Sequence, residues 1–135
     1  MMRIKGLHHP QITITVGGEY QAHHFYCETL GLPLIDPPEE YARAKGFWIR
    51  VGDQPIRVAT EHSLDYDPVR SHLVYEVEDI YRWRLYLYQR GVKARFVQSP
   101  LGYARLEMRD PFGNRVELIE LAPVPTEQDF DEIAE

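Results

Sequence analysis

The chain repeats itself, and the repeat limits what it can fold into. The first half runs LHHPQITITV, a helical stretch ending CETLGLPL, then GFWIRVGDQPIRVAT. The second runs SHLVYEVED, a helical stretch ending YQRGVKAR, then GYARLEMRDPFGNRVELIE. Gly31 falls on Gly91 and Arg57 on Glu117 at one common offset of 60 residues. A fixed internal period means that one supersecondary unit is used twice, so the fold must be built from two copies of whatever each half forms.

Periodicity says what that unit is. Ile12, Ile14 and Val16 alternate with Gln11, Thr13 and Thr15, the two-residue period of a half-buried strand from Gln11 to Val16. Gly17 and Gly18 break it. A helix is expected from Glu19 to Leu30, with Ala22, Phe25, Tyr26 and Leu30 at helical spacing and Gly31 as its stop. Phe47–Val51 and Ile56–Thr60 flank Gly52, Asp53 and Gln54 as a hairpin. In the second half, His72–Val77 reads as a strand and Asp79 as a helix N-cap. Ile80, Trp83 and Leu87 form the helical stripe, Gly91 stops it, and Val92–Val97 is a further strand. A last hairpin, Leu106–Met108 with Arg115–Leu121, turns at Asp110-Pro111-Phe112-Gly113-Asn114.

The expected fold is therefore α+β: two repeated β-α-β-β-β modules forming a curved, mostly antiparallel eight-stranded sheet around a central cleft. The expected organisation is a single domain, 1–135, with module one at about 7–60 and a linker at about 61–70. Module two follows at about 71–121, and a C-terminal extension, APVPTEQDFDEIAE, fills 122–135. With 135 residues the chain can bury roughly two-thirds of its unfolded surface.

Composition narrows the partners. A net charge of -6 without a clustered basic face argues against nucleic acid. No apolar run approaches the roughly 18 residues of a membrane span, and MMRIKGLHH lacks an apolar signal core. The single cysteine, Cys27, cannot form an internal disulfide, which fits a reducing, cytoplasmic compartment. The expected partner is a small molecule, with neither nucleic acid nor membrane involved.

Three side chains stand out as metal ligands. Residues two apart in a strand share a face. His9 is in phase with Gln11, Thr13 and Thr15, whereas His8 falls on the other face or in the turn. His72 opens the equivalent strand of the second half. Glu117 lies between Val116 and Leu118 and points away from their apolar face. Two imidazoles and one carboxylate on a rigid frame make a facial triad with open positions, suited to one divalent ion: Fe, Mn, Ni, Co or Zn. Taken singly, a histidine at a strand start is more often an edge residue and a strand glutamate more often solvent-facing. It is the repeat-related placement that joins them.

Tyr103, Arg105 and Glu107 alternate with Leu106 and Met108, and Trp48 and Arg50 with Phe47, Ile49 and Val51. Alternation alone leaves open whether each polar set faces a cleft or solvent. A cleft-facing Tyr103 would donate a hydrogen bond to a bound oxyanion; structural packing is the competing reading. Glu76, in phase with His72, and His62, in the linker, are weaker candidates for moving a proton.

The sequence resembles the vicinal oxygen chelate superfamily, which groups glyoxalases, bleomycin-resistance proteins and extradiol dioxygenases. The resemblance rests on LHHPQITITV, GGEYQAHHFYCETLGLPLI, SHLVYEVEDI and RDPFGNRVELIE, and covers Leu7 to Leu121. It implies ligand positions at the first and last strands of each half, here His9, Arg57, His72 and Glu117. Arg57 departs from the pattern, since a glyoxalase I carries a fourth ligand there, often Glu, and a guanidinium has no lone pair to offer. The resemblance thus implies a three-ligand site; the candidate catalytic residues are Glu117, Arg57 and, from its strand alone, Tyr103. Arg57 would either meet an anionic substrate or balance a nearby glutamate.

The function so implied is that of a divalent-metal-dependent enzyme acting on a small, oxygen-chelating, anionic substrate by isomerase or lyase, dioxygenase or epoxide-opening chemistry, thiol transfer included. The alternative is a bleomycin-resistance-like binding protein without catalysis. The resemblance implies a homodimer, since family members of this length often pair.

Overall fold

The computed structural model describes residues 2–3, 5, 7–61, 72–98 and 102–121. His62, most of the linker and the C-terminal extension lie outside them. The described residues fall into two compact units. One combines the first half with the turn 110–114; the other holds 72–109 and the chain from 115 onward.

In the first unit, β1 (Gln11–Thr15) leads into α1 (Glu19–His23), which continues as a π-helical segment, His24–Thr29. Then come β2 (Leu34–Ile35), a 3-10 turn (Glu39–Tyr41), β3 (Phe47–Val51) and β4 (Gln54–Glu61). The sheet order is β1-β4-β3-β2. The π segment shows in the five-residue backbone bond from Leu30 N–H to Phe25 C=O at 2.9 Å, and a bond from Leu32 N–H to Tyr26 C=O at 3.0 Å closes the end past Gly31. It lets two successive aromatics, Phe25 and Tyr26, both be buried, their rings edge to face at 5.0 Å. Periodicity places this helix correctly but does not reveal the change of pitch, because π turns depend on tertiary packing.

The second unit runs β5 (His72–Glu76), α2 (Ile80–Gln89), β6 (Arg95–Val97), β7 (Ala104–Arg109) and β8 (Arg115–Glu120), in sheet order β5-β8-β7-β6. Gly31 and Gly91 take nearly equal positive φ, 76° and 77°, as repeat-equivalent helix stops. Asp79 does precede α2, but its side chain makes no capping bond. The Glu120 carboxylate caps instead, accepting the Asp79 and Ile80 N–H at 3.0 and 3.3 Å. An acidic group at the positive end of a helix is favoured on charge as well as geometry.

Both halves are thus β-α-β-β-β. The expected single eight-stranded sheet is corrected: among the described residues there are two four-stranded sheets. The reason lies in the pairing. Each module's first strand pairs in parallel with its own last strand, β1 with β4 and β5 with β8, so each module completes its own sheet. The other four pairings or ladders are antiparallel, which keeps the mostly antiparallel character.

Register makes the repeat concrete. Gln11 lies opposite Arg57, and Val74 lies opposite Glu117. Two residues before Gln11 and Val74 stand His9 and His72, which are therefore equivalent positions. Each sheet has one apolar face. Ile12, Ile14, Ile49, Ile56 and Val58 are buried in the first; Tyr75, Leu106, Met108, Val116 and Leu118 in the second, with Ile80 and Leu87 of α2. Burying each such side chain fully is worth about 1.5–3 kcal/mol.

The turn 110–114 ties itself to the first unit through side-chain hydrogen bonds. Buried Asp110 accepts from Phe112 N–H (2.9 Å), Asn114 N–H (2.8 Å), Asn114 Nδ2 (2.7 Å) and Tyr26 OH (2.7 Å). Asn114 Nδ2 also donates to Thr13 C=O at 2.9 Å. A Cβ at Gly18 would come within 2.3 Å of the Phe112 ring, which would have to shift to admit a side chain. The FY-x-x-x-LGL and DPFGN motifs are therefore two sides of one hydrogen-bond cluster.

Candidate functional site

The second face of each sheet carries the polar residues. In the first unit, half-buried His9 packs edge-on against Trp48 and Tyr41, with ring centroids at 4.7 and 5.0 Å. Tyr41 and Trp48 close the triangle at 5.4 Å. His9 Nδ1 is 2.7 Å from His8 Nδ1, and His8 Nε2 is 3.2 Å from Glu40. Burial first, then the neighbouring His8 and Arg57, lowers the His9 pKa from its usual value. A neutral imidazole keeps a lone pair for a metal or a proton.

Arg57 shares this region. One terminal nitrogen donates to the Lys45 carbonyl at 2.9 Å and the other to Gln11 Oε1 at 3.5 Å. Its guanidinium carbon stands 5.3 Å from the Tyr41 ring centroid, a cation–π contact. Its Nε is buried without a partner. Of Trp48 and Arg50, alternation left the facing open. Trp48 turns out buried and Arg50 exposed.

In the second unit the face opposite α2 is a lattice of charge. Glu117 is only 1% exposed, and His72 Nε2 lies 3.2 Å from its Oε1. Arg115 Nη2 lies 2.7 Å from the same Oε1 as an ion pair, and Arg105 Nη2 donates to Oε2. Directly across the ladder from Glu117 is Glu107, also buried. Two carboxylates opposite one another repel. Arg115 relieves this by bridging both, at 3.4 Å to Glu107, and Arg95 and Arg109 approach Glu107 at 3.6 and 3.8 Å. Tyr103 is half-buried just before β7.

The structure thus brings His72 and Glu117 together in one unit and His9 and Arg57 together in the other. Among the described residues no group of three or more His, Cys, Asp or Glu side chains is assembled for a metal ion. Sequence reasoning missed Arg115 and Tyr41. Arg115 was findable, because it sits two residues before Glu117 and so shares its face. Tyr41 lies in a polar loop whose pattern carries no signal.

The chain matches the family model Glyoxalase/Bleomycin resistance protein/Dioxygenase superfamily over residues 6–118. No functionally curated protein matches it. Among solved structures, it is 32% identical to a putative glyoxalase family protein from Bacillus anthracis, covering 90% of this chain and 99% of that one, with a TM-score of 0.77. The fold is also that of a lactoylglutathione lyase from Agrobacterium tumefaciens (16% identity, 88% and 96% covered, TM-score 0.66). A fosfomycin resistance protein from Mesorhizobium loti shares it too (13% identity, 90% and 96% covered, TM-score 0.63). The repeat, the two β-α-β-β-β units and the family match agree: this chain belongs to the glyoxalase/bleomycin resistance/dioxygenase superfamily.

Proposed function

We propose that the chain is an enzyme that uses one divalent metal ion on a small, anionic, oxygen-chelating substrate. The observation that carries this is the pairing of His72 with buried Glu117. Their 3.2 Å separation suits two ligands of one ion with bonds of about 2.1 Å. His9, at the ladder position equivalent to His72, is the third ligand of this proposal, and its lowered pKa favours the neutral form a ligand needs. When bound, the ion would polarise substrate oxygens as a Lewis acid.

The chain's own residues do the rest. Arg105 and Arg115 each hold one oxygen of Glu117, which fixes the carboxylate and leaves the face rich in positive charge. Arg57 cannot coordinate, and in this proposal it attracts the anionic substrate. Tyr103 is proposed to donate a hydrogen bond to a substrate oxyanion. Membership of a superfamily with several chemistries does not select among isomerisation, ring cleavage and epoxide opening. A homodimer working in a reducing, cytoplasmic compartment completes the proposal. Cys27 as sole cysteine supports the compartment, and no helix among the described residues is long and apolar enough to cross a membrane.

A second reading is capture of a small anion without catalysis. One observation favours it: both Glu117 oxygens are already bonded to guanidinium groups. Elemental analysis after reconstitution with Fe, Mn, Ni, Co or Zn separates the two. The enzyme reading expects one ion per chain, its loss in His72→Ala and its retention in Arg57→Ala. No uptake by the native chain, or full uptake by the His9→Ala/Glu117→Ala double variant, rejects the metal site.

A further inference from the structure

The outer face of α2 is unusually apolar for an exposed helix. Tyr81, Leu85 and Tyr88 are 71, 58 and 79% exposed and recur at helical spacing, forming one stripe. With Arg84, Val92 and Lys93 they line a groove of about 470 Å³. Tyr81 meets Phe96 at a 42° tilt with ring centroids 5.0 Å apart, and Arg84 lies 5.6 Å over the same Phe96 ring, so the stripe continues onto β6. Exposed aromatic patches of this kind mark interaction surfaces.

Charge says what fits there. From Ile80 to Gln98 the chain has Arg82, Arg84, Arg90, Lys93 and Arg95 and not one acid. From Ala122 to Glu135 it has Glu127, Asp129, Asp131, Glu132 and Glu135 and not one Lys or Arg. We propose that the acidic segment 122–135 of this same chain docks along the groove on α2. The chain is delivered to the right place, because Glu120 is bonded to the first turn of α2. The segment that follows Leu121 is fourteen residues long, enough to run the length of a helix of about 15 Å. Phe130 and Ile133 would fill the groove and the acids would meet Arg84, Arg90 and Lys93.

Hydrogen exchange on the full chain tests this. Amides of 127–135 should exchange about tenfold more slowly than in a free peptide of the same sequence. The protection should vanish in Arg84→Glu/Lys93→Glu, and fall at about 1 M salt, where the screening length is about 3 Å. Adding Asp131→Lys/Glu132→Lys to that variant should restore it. Exchange of the segment at free-peptide rates overturns the proposal, as does protection indifferent to the charge reversal. Protection that disappears on dilution also overturns it, in favour of a second copy as the occupant.

Discussion

Replacing Asp110 by alanine should be among the most damaging single changes outside the two polar faces. The carboxylate accepts four hydrogen bonds, at 2.7 to 2.9 Å, from Phe112 N–H, Asn114 N–H, Asn114 Nδ2 and Tyr26 OH. At about 1.5–3 kcal/mol for each bond to a charged group, a plain sum would rival the entire stability of a domain. The bonds share one acceptor group and therefore cannot be additive. The cost is better set by the buried donors left behind. Asn114, which keeps its bond to Thr13 C=O, is 2% exposed and Tyr26 1%, and each loses a bond to a charged acceptor worth about 1.5–3 kcal/mol. An Asp110→Ala loss of about 3–5 kcal/mol follows, roughly 10–20 °C in Tm for a chain of this size.

Asp110→Asn should lose less, about 1–2 kcal/mol, because one amide oxygen still accepts the two backbone N–H groups. The assay is urea unfolding followed by tryptophan fluorescence, with Trp48, buried in the same unit, among the reporters. A double-mutant cycle adds the sharper test. Tyr26→Phe should cost about 1 kcal/mol in the native chain and clearly less beside Asp110→Ala. A loss below about 1 kcal/mol in Asp110→Ala, or an undiminished cost of Tyr26→Phe beside it, would refute the reasoning.

Three further outcomes are expected. Glu120→Ala removes the cap of α2 and should cost about 1 kcal/mol, with faster hydrogen exchange confined to the first turn of that helix; a loss spread across the whole second unit would contradict it. Burial, then Glu28, raises the Cys27 pKa, so iodoacetamide at about pH 8 should label it at least fivefold more slowly than free cysteine; equal or faster labelling would count against a partly buried thiol. His9, in chelator-treated protein, should titrate below the usual 6.5 by imidazole NMR. Because the unfolded chain then binds the proton first, this residue's contribution to stability is complete above about pH 6.5 and is lost as pH falls toward the folded midpoint. A midpoint at or above 6.5 would remove the basis for His9 as a neutral ligand.

What could be read in advance was whatever a period encodes. Strand alternation found β1, β3, β5 and β8 to within a residue or two, and Gly31 and Gly91 marked both helix ends. Alternation also put His9 on the face away from Ile12, and Glu117 on the face away from Val116. It could not find β2, whose two residues are too few to show a period. Nor could it find the Glu120 cap, since that bond joins residues some forty positions apart and Asp79 is the ordinary local choice. The single-sheet expectation failed for a similar reason. Strand pattern identifies strands, whereas the pairing of β1 with β4 and β5 with β8 decides where a sheet ends.

The same position in the two sheets shows how one scaffold holds opposite charges. Arg57 faces Gln11 and Glu117 faces Val74, each in the last strand of its module. Neutral partners meet the guanidinium: a carbonyl, an amide oxygen and the Tyr41 ring. The buried carboxylate needs more, because an unpaired buried charge costs several kcal/mol. It receives Arg105 and Arg115, while Glu107 beside it draws on Arg95 and Arg109. Four arginines against Glu107, Glu117 and the exposed Glu76 leave that face with a surplus of one positive charge on a chain of net charge -6. A surplus concentrated on the face of the buried acid attracts an anion at short range, where a partly desolvated pair at 4 Å interacts by about 4 kcal/mol. Anionic ligands should therefore be bound more tightly than neutral analogues of the same shape, whether or not a metal is present.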